Sequence, residues 1–188
     1  VGYPEDTLVF QISSMSSFKG SDTYVVDAKG RASIPSKMRK NLDPQARRTF
    51  VVTRGIEKCL YAYPLDEWQR MESSIRSLSS ANEKDRFFAR TLMQWSEEVQ
   101  LDSQFRLLIP KALLDFAEIT TEVFFIGVLD HIEMWKPAHF KKYIESRKET
   151  YEKVVEHVMG LEGNTNGNGN GNGNGHSHGN GNGNGYGK

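Results

Sequence analysis

The stretch Val25-Val26-Asp27-Ala28-Lys29-Gly30-Arg31-Ala32-Ser33-Ile34-Pro35 decides the fold, and Ser36-Lys37-Met38-Arg39-Lys40 continues it. It reads as strand, tight turn, strand and short helical entry. An aspartate at the mouth of a turn accepts hydrogen bonds from backbone N–H groups two or three residues on, and Gly30 supplies the positive φ of a bulged hairpin turn. Pro35 stops the second strand and opens the helix. The pattern returns in Leu101-Asp102-Ser103-Gln104-Phe105-Arg106-Leu107-Leu108-Ile109-Pro110-Lys111. Asp102, Arg106 and Pro110 stand against Asp27, Arg31 and Pro35 at one common offset (102 − 27 = 75), so the chain is a tandem repeat. The second copy has Gln104 for Lys29 and Phe105 for Gly30, and so reads as having lost a charge and the positive-φ residue.

Working outward, residues 23–26 and 31–34 are expected to be the two strands of a hairpin, and 36–42 a short helix broken by Asp43-Pro44. Two β-rich runs follow at 49–53 and 59–63. Pro64 then opens a helix with Trp68, Met71, Ile75 and Leu78 on one face. Ser80-x-x-Glu83 has the form of a capping box and predicts a second helix carrying Phe87, Phe88, Leu92 and Trp95. The second copy repeats the strand–helix–strand–strand order through Ile132-Glu133-Met134-Trp135. Pro137 opens a last helix whose apolar face is Phe140, Ile144, Tyr151, Val154, Val155 and Val158. The expected organisation is a disordered leader at 1–16, with Met15 a candidate start. A first repeat at 17–68, a helical connection at 69–95 and a second repeat at 96–140 come next. A C-terminal helix at 141–160 and a flexible Asn/Gly-rich tail at 161–188 complete it.

The 188 residues carry 24 basic and 24 acidic side chains, so the total charge argues for no particular partner. The distribution does. Between Lys29 and Arg54 lie Lys29, Arg31, Lys37, Arg39, Lys40, Arg47, Arg48 and Arg54 against the single acid Asp43. A local basic patch of this kind is what phosphate binding uses. Cys59 is the lone cysteine, which excludes a disulfide framework and leaves no zinc-type Cys/His spacing, so no metal site is expected. No apolar run approaches a membrane span, and a cytoplasmic protein is expected. There is no GxSxG, no phosphate-cradling glycine loop and no HExxH, and His131, His139 and His157 are scattered, at no spacing recognisable as catalytic. The expectation is a binding module rather than an enzyme, with no cofactor and no small-molecule substrate.

The candidate binding surface is the first hairpin with Lys29 and Arg31 at its tip, and Lys37, Arg39 and Lys40 on the helix behind it. Arginine offers a planar bidentate donor to phosphate or guanine, and a two-stranded ribbon fits the major groove. The competing reading makes Asp27–Arg31 a structural ion pair and the lysines a solvated face. Asp27, Gly30 and Pro35 read as structural, with Asp102 and Pro110 in the same places in the second copy; Arg31 stays open between the two readings.

These residues resemble the MraZ proteins of bacteria, within the wider AbrB-like group of swapped-hairpin β-barrels. The resemblance rests on Phe18-x-Gly20, Asp27-x-Lys29-Gly30-Arg31-x-Ser33-x-Pro35, Leu60-Tyr61-x-Tyr63-Pro64-x-x-Glu67-Trp68 and Asp102-x-x-x-Arg106-Leu107-Leu108-Ile109-Pro110, in order over roughly residues 17–145. It implies an α+β fold in which two tandem AbrB-like swapped-hairpin repeats form a pseudo-dimeric barrel with flanking helices. It also implies a ring-like homo-oligomer that binds double-stranded DNA at short direct repeats. Such a protein would regulate transcription of the division and cell-wall gene cluster and would be nucleoid-associated. The family's DNA-contacting arginine maps onto Arg31, with Lys29 beside it, and onto Arg106 in the second copy. Phe105, where family members commonly keep glycine, departs from the pattern and shifts the expected contact towards the first repeat. The alternative is an oligomeric interaction scaffold whose basic patch meets an acidic protein.

Overall fold

The computed structural model describes residues 15–160; the expected leader and the Asn/Gly tail fall almost wholly outside them. The chain divides into one unit that runs to Ser146 and a second that begins at Arg147.

In the first unit β1 (Ser21–Val25), β2 (Arg31–Ser33), α1 (Ser36–Arg39), β3 (Thr49–Arg54), β4 (Cys59–Pro64) and α2 (Leu65–Arg76) make one repeat. Helix α3 (Glu83–Gln94) leads to the second, β5 (Glu97–Gln100), β6 (Arg106–Leu108), α4 (Lys111–Ala117), β7 (Glu122–Val128), β8 (His131–Trp135) and α5 (Pro137–Glu145). The expected hairpin is not one. Strands β1 and β2 do not pair with each other; β1 pairs antiparallel with β7, and β2 pairs antiparallel with β6. Likewise β5 of the second repeat pairs with β3 of the first. Each repeat thus lends strands to the other, and the sheet order β1-β7-β8-β4-β3-β5 reads the same from either end once equivalent strands are matched.

This exchange creates a pseudo-two-fold axis. It passes through the pair Ala32↔Leu107 in the β2–β6 ribbon and through Tyr61↔Glu133 between β4 and β8. The expected closed barrel is a correction: the six-stranded sheet is open, and β2 and β6 form a separate two-stranded sheet. The reason is length. The strands that would bridge the edges are three residues each, and their hydrogen bonds are spent on one another.

Period-two burial fixes the ribbon's orientation. Ala32 and Leu107 are fully buried, whereas Arg31, Ser33, Arg106 and Leu108 face outward. Beneath the ribbon lies the shared core, with Phe18, Ile34, Met38, Phe50, Leu60, Ile109, Phe125 and Met134 from both repeats. Phe18 bridges to Leu129, and a Cβ at Gly127 would run into the backbone of Phe18 and Lys19, which accounts for glycine at that close approach.

Local capping moves two helix boundaries. Asn82, not Ser80, caps α3, its side chain accepting from the N–H groups of Lys84 and Asp85. The expected continuous last helix is two helices: α5 stops with Ser146 as its C-cap, and α6 (Tyr151–Val158) in the second unit starts anew from Thr150, whose hydroxyl accepts from Lys153 N–H. An N-capping threonine satisfies a donor that a continuous helix would have bonded internally. On α3, Phe87 and Phe88 are exposed by 71% and 49%, so that face is not core.

Candidate nucleic-acid interface

Each turn of the ribbon is organised by its aspartate. Asp27 Oδ1 accepts from the N–H groups of Lys29 and Arg31 at 2.9 and 3.0 Å, and the Gly30 N–H bonds the Asp27 carbonyl at 2.8 Å. Its Oδ2 receives Arg31 Nε at 2.8 Å and Nη2 at 2.7 Å. The second turn repeats this: Asp102 Oδ1 accepts from Gln104 and Arg106 N–H at 2.8 and 3.0 Å, and Oδ2 takes Arg106 Nε at 2.7 Å. The Arg31 guanidinium, with the backbone N–H groups, holds the Asp27 carboxyl at about 2, well below its usual range. Bonds from the Arg106 backbone and side chain lower Asp102 in the same sense. Both carboxylates therefore stay charged and keep both arginines oriented.

The register sets the arginines in place. Arg31 lies opposite Leu108 and Arg106 opposite Ser33, so the two flank the axis on the same outward face. About a quarter of each side chain is exposed. The ion pair expected under the structural reading is present at both arginines, and it leaves the rest of each planar donor group on the outer face.

The second turn keeps the positive φ that the replacement of glycine by Phe105 argues against. Phe105 has φ +58°, against +80° at Gly30, because the Asp102 hydrogen bonds impose the same turn. A left-handed conformation costs a non-glycine residue about 1–2 kcal/mol. Two cation–π contacts offset it, Arg39 at 4.8 Å and Arg48 at 4.3 Å from the ring centre, at roughly 0.5–1 kcal/mol each. Arg48 Nη2 also donates to the Asp102 carbonyl.

The exchange of strands redistributes the other expected residues. Lys29 is exposed on the first turn. Arg39, expected behind the first tip, lies instead against Phe105 of the second. Lys37 Nζ donates to the Ser21 carbonyl and its stem passes Gly20, away from the ribbon face. Lys40 is the exposed C-cap residue of α1. Pro35 and Pro110 are the N-caps of α1 and α4. Sequence reasoning assigns Arg48 no place in the site. It belongs to the basic run, but its position beside the other repeat's turn follows only from the exchange, in which Leu101 N–H bonds the Arg48 carbonyl as Val26 N–H bonds that of Thr121.

Among the described residues no cluster of three His, Cys, Asp or Glu side chains could hold a metal ion, and no helix is long and apolar enough to cross a membrane. Cys59 is fully buried, and burial pushes its thiol up to about 12.

A family model described as "MraZ protein, putative antitoxin-like" matches the chain twice, over residues 17–91 and 93–159. The chain belongs to the MraZ family, and the two matches coincide with the two copies of the Asp–Arg turn.

Proposed function

We propose that this MraZ-family chain is a sequence-specific regulator that binds double-stranded DNA through the outer face of the β2–β6 ribbon. The observation that carries the reading is the placement of Arg31 and Arg106 on one face of a two-stranded ribbon, related by the pseudo-two-fold and each oriented by its own aspartate. A ribbon of two antiparallel strands has the width of a major groove, and an oriented guanidinium presents a bidentate edge to guanine or phosphate. Lys29 and Arg39 stand at the two ends of that face and Lys40 near it as backbone contacts that position without specifying.

The resemblance supports the finer parts of the proposal. These are assembly into a ring-like homo-oligomer, short direct repeats as the operator, and the division and cell-wall gene cluster as target. Exposed Phe87 and Phe88 on α3 supply an apolar face for contact between copies. A ring would raise weak single-ribbon contacts by avidity, which suits a chain of zero net charge. The test is competition binding. The wild-type chain should prefer its own upstream region to a scrambled duplex of equal length. Equal binding to both, or capture only by acidic proteins, would transfer the basic face to a scaffold role.

A further inference from the structure

The two ends of the ribbon share the Asp–Arg turn but not their surroundings. At the first, Gly30 faces Leu114 of α4 so closely that an added Cβ would sit 3.2 Å from Leu114 Cδ1. The residue equivalent to Leu114 in α1 is Arg39 (114 − 39 = 75), and it meets not a glycine but the ring of Phe105. Arg48 adds a second guanidinium to the same ring, where Thr121 stands at the other end. Phe105 itself is 36% exposed. A strained, surface phenylalanine holding two cations beside Arg106 is not needed for the turn, which Gly30 makes without it.

We infer that Phe105, Arg39 and Arg48 form a phosphate-binding clamp at the second-repeat end of the ribbon, so that the two ends engage DNA unequally. The inference rests on the DNA-binding reading and adds a polarity to it. A guanidinium stacked on a ring gives up no N–H donor to the ring, and it has lost rotamer freedom before the ligand arrives. Arg48 spends Nη2 on the Asp102 carbonyl, which fixes the plane of the group further. The first end offers Lys29 on a flexible stem, and Lys111, at the start of α4, is paired with Asp115 at 2.8 Å. Phe105 is a positioning residue; the arginines carry the contact.

The test is salt-titrated binding to the upstream duplex by full-length wild type, Arg39→Ala, Arg48→Ala, Phe105→Gly, Arg48→Lys and Lys29→Ala, each checked for fold by circular dichroism. Arg39→Ala and Arg48→Ala should each lower the slope of log K against log salt by about 1, the signature of one lost phosphate contact. Phe105→Gly and Arg48→Lys keep the charges and lose the stack, so they should hold the slope and weaken binding by about three- to tenfold. Lys29→Ala should change both less than Arg48→Ala. Wild-type slope and affinity in both alanine variants, with operator preference intact in the wild type, would overturn the clamp alone. Unchanged affinity in both Phe105→Gly and Arg48→Lys would overturn the positioning role. A wild type that binds no DNA would overturn the underlying reading, and the clamp with it.

Discussion

Replacing Leu107 by alanine, with Leu108→Ala as its neighbour control, tests the ribbon's register. Leu107 faces Ala32 on the pseudo-two-fold axis and is fully buried, while Leu108 lies opposite Arg31 and is 50% exposed. Leu107 packs in a core with Ile34, Ile109 and Leu113, each about 1% exposed, so the site has little room to collapse. Truncating a leucine in such a setting costs about 3 kcal/mol or more. For a unit of this size that lowers Tm by roughly 6–12 °C. The outer-face Leu108→Ala should stay within about 0.5 kcal/mol, a shift of no more than roughly 2 °C. Thermal unfolding followed by circular dichroism, on both variants and the wild type, reads the difference directly. Equal shifts would remove the alternation on which the outward placement of Arg31 and Arg106 depends. A larger shift for Leu108→Ala would mean that β6 is slipped by one residue and faces the other way.

Four further outcomes follow from the turns and the core. Phe105→Gly should change stability by less than about 1 kcal/mol, because relief of the left-handed backbone and loss of two cation–π contacts nearly cancel; Gly30→Ala should lower Tm, since its Cβ meets Leu114 and Ile109 at φ +80°. Asp27, held at about 2 by Arg31, titrates below the ordinary value of about 3.9, so its stabilisation is complete above roughly pH 4 and lost as pH falls through about 2. The Tm deficit of Asp27→Asn against wild type should therefore be constant near neutrality and shrink between roughly pH 4 and 2; a deficit that grows on acidification would reverse the assignment. Cys59, buried with its thiol pushed up to about 12, should resist alkylation in the native protein and react on unfolding, as mass spectrometry would show.

Much of this architecture was legible because it is local. Asp27 and Asp102 announce their turns through hydrogen bonds that span no more than four residues. The common offset exposed the duplication, and the alternation Arg31-Ala32-Ser33 already carries the in-and-out pattern of β2. What the residue pattern alone left open is the choice of partner, which only the resemblance to swapped-hairpin proteins anticipated. A strand's pattern says which face is buried but not which edge it pairs, so β1 and β2 read as one hairpin although each pairs with the other repeat. That error moved Arg39 to the wrong tip and hid Arg48, whose neighbour Phe105 is 57 residues away in sequence (105 − 48 = 57). Phe105 misled for a related reason: residue type argued against positive φ, and the Asp102 hydrogen bonds prevailed. The break between α5 and α6 fell at Thr150, a cap that an apolar phase running from Ile144 to Tyr151 concealed.

The measurement that bears most directly on the central claim is the salt dependence of binding by wild type, Arg31→Ala, Arg106→Ala and the double variant, on the upstream duplex and its scrambled counterpart. If the ribbon face reads DNA, both single variants lose preference for the upstream duplex while keeping their fold, and the double variant binds the two duplexes alike. Retention of full preference by the folded double variant would contradict the account, leaving Arg31 and Arg106 as the structural partners of Asp27 and Asp102 and nothing more.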